Sequence, residues 1–389
     1  MKGRYIGLWA GIVLLGLLGV LGKIYEKSLM TAIYDPWHGI QDWQGLETEQ
    51  LHPVVLDLAA SEDPKKLAFA AILGAILEDK EIEKALEQPF IDSAIFGKTA
   101  ENKSKGWERT TKSFDDYSKK RHEIAEKREK EGKRVITQET LDNWRKMALE
   151  KAAPDDVWVF SVLATFGAAK SNNAKAVREE AIFRWQQAEP DNLAPLLHQP
   201  GLSASELFER SKTRHQFVEH NYPILRWMYQ TLLQQRPNQQ KNIAAQLMEI
   251  DAATAIFPDK PLMDVCKKNP PQPSSADWQS CRFIAKTLRQ SSSSSAIPPI
   301  LGTAILQTLT NDETEKQLFA NERAYFSWLL NQQTLQMKGV RFLEHYLKRL
   351  QDKNINNERQ AIESFLLQEG LPLKPDEESL KPFLERYKK

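Results

Sequence analysis

Between Arg4 and Lys23 lies YIGLWAGIVLLGLLGVLG, 18 consecutive residues without a charge. As a helix rising about 1.5 Å per residue, the run covers roughly 27 Å, close to the hydrocarbon thickness of a bilayer. Its five glycines suit lipid better than a water-soluble core, which sets aside the reading of a buried soluble helix. A secretory signal is the rival reading. The run is longer than a usual signal core, and neither an Ala-x-Ala site nor a lipobox cysteine comes after it, although Val20-Leu21-Gly22 offers a small-residue site. The run therefore reads as an anchor, with a cleaved signal as the alternative. Gly7 and Gly11 form a GxxxG of the kind that packs helices in lipid.

Lys2 and Arg4 precede the span; Lys23 and Lys27, with Glu26 between them, come after it. The positive-inside rule then sets residues 1–4 in the cytoplasm, residues 5–22 in the membrane and residues 23–389 on the exported side, in the periplasm of a Gram-negative cell. Residues 23–60 read as a juxtamembrane segment of loop character. Trp37 and Trp43 within it suit the headgroup level or a dock on the domain. A helical domain is expected over 61–290 and a C-terminal helical subdomain over 296–389, parted by the polar run Ser291–Ser295. Charge excludes one partner class. Taking Lys2 and Arg4 from the 53 basic residues leaves 51 against 52 acidic ones, so the exported part lacks the electrostatic pull of a nucleic-acid binder.

The remainder is punctuated as helices. Ser61 is expected to cap a helix with Glu62, Asp63 and Pro64 in its first turn, ahead of LAFAAILGAIL, whose length fits a buried core helix rather than a second span. In the charged stretch 107–134, Trp107, Phe114, Tyr117 and Ile124 recur at heptad spacing and Gly132 ends the helix, so a solvated helix with one narrow packing stripe is expected. Residues Thr140–Lys151 begin another. Pro154-Asp155-Asp156 opens a helix despite the alternation of Val157 and Val159. Ala174–Ala188 comes next, with Val177, Ala181, Ile182 and Trp185 on one face.

Further capping boxes are read at Ser203–Glu206 and at Thr310–Glu313. Helices are also expected over Ile224–Leu233, Asn242–Ile256, Cys281–Leu288, from Pro298, past Glu313 (with Leu318, Phe319, Tyr325, Phe326 and Leu329), and over Leu335–Leu350, Asn357–Gln368 and Leu380–Tyr387. No strand-rich block interrupts them. The fold class is all-α: a single transmembrane helix and then an array of α-hairpins, with solenoid-like stacking as one variant.

Cys266 and Cys281 are the two cysteines. They flank a Pro/Ser-rich stretch, and no CxxC or nearby His supplies further metal ligands. In an oxidising compartment they are expected to form a bridge contributing about 3 kcal/mol, with two reduced core cysteines as the alternative. Among the seven histidines, His215 and His220 stand closest. A spacing of five places them apart on a helix, while Glu219 shares a face with His215, so a metal site is not assigned. The acidic pairs Asp115-Asp116, Asp155-Asp156 and Glu377-Glu378 fit helix starts and polar faces. No phosphate-cradling glycine loop or nucleophile elbow occurs, so no catalytic or cofactor-binding residue is assigned.

Two resemblances are carried by particular residues. The helix pair ending in Ala188-Glu189-Pro190-Asp191-Asn192 resembles a tetratricopeptide-type unit, from which Arg178, Trp185 and Gly167 depart. Asp251–Asp259, Leu262–Cys266 and Ser280–Leu288 are similar to segments of uncharacterised exported proteins of gammaproteobacteria. That similarity implies a helical, disulfide-closed envelope protein and brings no activity. The function expected is a membrane-anchored interaction protein or scaffold of the cell envelope, partnered by another envelope protein. An envelope hydrolase acting on peptidoglycan or peptide is one alternative, and an immunity-type inhibitor of a toxin is a variant.

Overall fold

The computed structural model describes residues 45–85, 119–120, 123–128, 130–132, 136–166, 171–254, 260–291, 295–336 and 340–387. The expected anchor at Tyr5–Gly22, Trp37 and Trp43, the stripe residues Trp107, Phe114 and Tyr117, the pair Asp115-Asp116 and most of the serine run lie outside them. No helix among the described residues is long and apolar enough to cross a membrane. Regular structure there is helical, with an isolated parallel bridge between Asn192 and Gln216. The all-α expectation holds.

The chain forms two compact units. The smaller comprises the described parts of 46–151 and 169–174. It contains α1 (Thr48–Ala59), α2 (Pro64–Ala85) and α3 (Gln138–Lys151), with α2 packed against both others. Residues 48–59 thus depart from the expected loop-like segment. Leu51, Val54, Val55 and Leu58 are buried at helical spacing, and Pro53 is tolerated within that helix. Asp63 caps α2 by accepting from the Lys65 amide at 2.8 Å, with Pro64 as the first helical residue. Leu67 to Leu73 are buried throughout, as an apolar helix of this length requires. Each large side chain so buried contributes about 1.5–3 kcal/mol. Gly74 lets α3 approach, because a Cβ there would lie 2.8 Å from Leu141 Cδ2. Residues 123–128 are helical, Gly132 adopts φ +64° after them, and Arg128 pairs with Glu81 at 2.9 Å.

The larger unit comprises the described parts of 152–168 and 175–389. Its first helix, α4 (Val157–Thr165), is capped by Asp156, and α5 (Asn172–Ala188) comes after it. Arg178 Nε donates to Ala164 O across this pair at 2.9 Å. The helix after Asn192, α6 (Ala194–Leu197), is a single turn. Next come α7 (Ala204–Ser211), with the expected Ser203/Glu206 box, α8 (Asn221–Gln235), α9 (Gln240–Thr254) and α10 (Lys260–Met263). A π-turn over Asp264–Lys268 carries Cys266, and α11 (Ala276–Arg289) carries Cys281. The two are bridged, with Cα atoms 5.6 Å apart.

The chain continues through α12 (Ile297–Leu309), α13 (Glu313–Gln336), α14 (Val340–Gln351), α15 (Glu358–Gln368) and α16 (Glu377–Tyr387). Two caps differ from their expectation, Asp63 in place of Ser61 at α2 and a second at α13. Asp312, not Thr310, caps α13, accepting from the Thr314 amide at 2.7 Å. Thr310 ends α12 instead, and its hydroxyl accepts from the Asp312 amide at 3.2 Å. Of the expected Leu335–Leu350 helix, Leu335 and Gln336 fall in α13 and Val340–Leu350 in α14.

α11, α12 and α13 pack in chain order, and α16 returns onto α13. α14 packs on α8 and α9. A solenoid restricts contact to neighbouring repeats, and this long-range return departs from it. The division into units also falls elsewhere than Ser291–Ser295: α11 and α12 on either side of that run pack directly together. Gly302 makes their approach possible. A Cβ there would press on Ala285 O and lie 2.6 Å from Arg289 N.

Replacing Gly302 by Ala is therefore expected to cost about 1–3 kcal/mol through forced backbone displacement, read as a lower midpoint in urea unfolding. Breaking the Cys266–Cys281 bridge by reduction, or in the double Cys→Ser protein, is expected to cost about 3 kcal/mol for a loop of this length. A change below about 0.5 kcal/mol would mean that the closed loop scarcely restrains the unfolded chain.

Candidate interaction groove

Three places in the larger unit gather polar or aromatic side chains. The first is built on Asn192, which is fully buried. Its amide nitrogen donates to Glu189 Oε2 at 2.8 Å and to Val218 O at 2.9 Å. Its amide oxygen accepts from the Ala194 and Val218 amides, each at 3.0 Å. Glu189 also accepts from Trp185 Nε1 at 2.8 Å and from His220 Nε2 at 3.1 Å. Burial disfavours the Glu189 charge, yet the bonds from His220, Asn192 and Trp185 together hold its carboxyl below the ordinary range. Arg214 Nη1 donates to Asn192 O at 2.6 Å. With its amide bonds made in all directions, this cluster is a structural knot.

The knot also explains where the histidines stand. His215 and His220 lie on an irregular segment rather than a helix, so the helical-face argument linking Glu219 to His215 does not apply. His215 packs on the Phe283 ring, while Glu219 stands 3.9 Å from His198. Among the described residues no group of three His, Cys, Asp or Glu is placed to hold a metal ion.

The second cluster surrounds Arg349 on α14. Its Nη2 donates to Asp251 of α9 at 3.0 Å, and its guanidinium lies 3.7 Å from the Tyr222 ring centroid and 5.1 Å from that of Tyr346. Glu358, the first residue of α15, accepts from the Ala296 amide at 2.9 Å. Burial raises the carboxyl pKa of both Asp251 and Glu358, and Arg349 opposes the rise. Burial also works against the Arg349 charge, but Tyr222, Asp251 and Tyr346 outweigh it and raise its pKa. Both carboxylates are thus engaged by partners of the fold itself.

The third place is a groove of about 530 Å³ between the end of α11, the outer face of α13 and the start of α15. Leu318, Asn321, Glu322, Tyr325 and Phe326 line it at helical spacing along α13, a strip of roughly 12 Å. Farther along α13, Ala324, Trp328 and Leu329 belong to a core with Ile362, Phe365 and Phe383, and Tyr325 packs partly against it. One helix therefore serves both an interior and an open surface. Arg289 reaches in from α11 and holds Glu322 through Nε at 2.8 Å and through Nη2. Arg359 enters from α15, bonds Glu363 through Nε at 2.7 Å and lies 5.8 Å from the Tyr325 ring centroid. These bonds, Glu322 for one and Glu363 for the other, raise both guanidinium pKa values, so both stay charged. Leu318 is 48% exposed. Phe183 and Leu367 are exposed as well, but single apolar side chains on a surface are ordinary. Leu318 differs in its groove setting.

In the sequence, Leu318, Tyr325 and Phe326 are marked only as apolar residues of one helix, and nothing singles out Arg289 or Arg359. Their joint placement has no local signal, since the two arginines are 70 positions apart in the chain. Comparison with family models, with curated proteins and with solved structures finds no match to this chain.

The raised pKa of Glu358 has a definite sign in stability. A carboxyl with a higher pKa folded than unfolded favours the fold when protonated. That contribution is lost as pH rises from the unfolded value, about 4.3, through the folded one. Glu358→Gln keeps an acceptor for the Ala296 amide and removes the charge. Its melting temperature relative to wild type is expected to be higher at pH 7 than at pH 4. An equal difference at both pH values would show that Glu358 titrates as if exposed.

Proposed function

We propose that this protein is a membrane-anchored helical interaction protein of the cell envelope, binding another envelope protein through the α13 groove. The carrying observation is the groove itself. An exposed leucine and two aromatic rings of α13 meet there two arginines that arrive from α11 and α15. Arginine and tyrosine are over-represented where binding energy concentrates in interfaces, and a firmly packed helix presents them with little ordering cost. The address rests on Tyr5–Gly22 as anchor and on the Cys266–Cys281 bridge, which belongs to an oxidising compartment.

The hydrolase alternative has Asp251 and Glu358 as its best support, since raised carboxyl pKa values mark many acid–base sites. Neither lines the groove, and each already has a partner in the fold. The interaction reading is therefore preferred.

A photocrosslinking residue placed at exposed Asn321 in the full chain is expected to give a discrete adduct in native membranes. Leu318→Asp should abolish it while changing stability by no more than about 0.5 kcal/mol, as at exposed sites generally. An adduct that survives Leu318→Asp unchanged would refute the groove. A phosphatase fused to the C-terminus should be active; an inactive, stably expressed fusion would refute the exported address.

A further inference from the structure

We infer that α16 is a displaceable strap, and that the face of α13 and α15 beneath it receives a partner helix with apolar side chains at positions i, i+3, i+4 and i+7. α16 itself shows what that face accepts. Of its eleven residues, Leu380, Phe383, Leu384 and Tyr387 pack inward at that spacing, and the other seven are exposed. The four meet the core that Trp328 and Leu329 of α13 share with Ile362 and Phe365 of α15. An amphipathic helix docks into a groove with this pattern of anchors. Displacing the strap leaves Leu318, Arg289 and Arg359 where they are, so the strap and the groove can fail independently.

Three features make α16 removable. Phe383 alone among its residues is buried, whereas ten of the thirteen residues of α12 are. Pro382 lies inside it and lacks the amide of a helical bond, and so short a helix is marginal by itself, so α16 owes its form to the face it covers. Its fastening to α12 and α13 converges on one residue. Gln307 Nε2 donates to Tyr387 O at 2.8 Å, the Tyr387 hydroxyl and Ser327 Oγ bond at 2.7 Å, and Arg323 lies 4.0 Å from the ring centroid. Losing that one anchorage frees the end of the helix. A partner helix with the same four apolar positions and no internal proline fits the face without this defect. It can therefore compete with α16, whose tether gives it an effective concentration on the order of mM.

The test adds a fluorescein-labelled peptide of residues 375–387 to the full chain in detergent and follows fluorescence anisotropy. Phe383→Asp in the full chain opens the face. That variant is expected to bind the peptide at least about 10-fold more tightly than wild type, where the tethered helix competes. Tyr387→Ala, which keeps the core phenylalanine, should shift affinity in the same direction. A peptide of identical composition with Phe383 and Lys381 exchanged should bind none of the three proteins. In wild type, amides of residues 380–387 should exchange at least about 10-fold faster than those of 324–332, which reports the opening without any substitution. Equal affinity for wild type and both variants, binding of the exchanged peptide, or exchange at 380–387 no faster than at 324–332 would overturn the strap. Displacement of the bound peptide by wild-type chain as readily as by unlabelled peptide would assign the face to a second copy and overturn the separate partner.

Discussion

The buried amide of Asn192 is the constraint around which the larger unit is arranged. Two irregular stretches, one after α5 and one before α8, enter the interior and carry backbone groups that no helix satisfies. An unsatisfied buried donor or acceptor costs about 1–3 kcal/mol. Asn192 answers several at once, taking the Ala194 and Val218 amides and giving to Val218 O. Glu189 then closes the arrangement by accepting from Trp185, Asn192 and His220. Because Asn192 has used both its oxygen and its nitrogen, the segments can shift only by losing several bonds together.

The Arg349 cluster solves a related problem with charge. A buried guanidinium is tolerated only with a carboxylate and further contacts, and Asp251, Tyr222 and Tyr346 provide them. These residues belong to α8, α9 and α14, so the cluster sets the register of helices far apart in the chain. Arg226 adds a second tie, donating to Asp352 O at 3.0 Å and to Ile355 O at 2.6 Å. Such polar contacts contribute modest net stability while penalising alternative packings, which is where an array of helices needs specificity.

α13 joins this scaffold to its surface. Trp328 and Leu329 hold its inner face against α15 and α16. Tyr387 reinforces it, lying under Arg323 at 4.0 Å and bonding Ser327 Oγ at 2.7 Å. Held in this way, α13 leaves Leu318 exposed nearer its start, while Tyr325 packs partly into the same core. Arg289 and Arg359 are likewise held by Glu322 and Glu363.

Local chemistry was enough to read much of this from the chain itself. Helix identity came from caps, prolines and 3.6-residue spacing, as at Ser203, Asp156 and Pro298, because those signals act within one turn. The Cys266–Cys281 bridge came from an even count and the chain's expected address. Tertiary structure was needed for every decision made between distant segments. Thr310 and Asp312 both suit a cap, and only the end of α12 assigns the role. Val54 and Leu58 make a core face of a stretch that reads as loop. Leu318 and Leu329 are equivalent in sequence, yet one is exposed and the other buried, because the partners of α13 arrive from up to tens of residues away. Arg289 and Arg359 meet one groove for the same reason: spatial convergence depends on packing, and packing leaves no mark at either position alone.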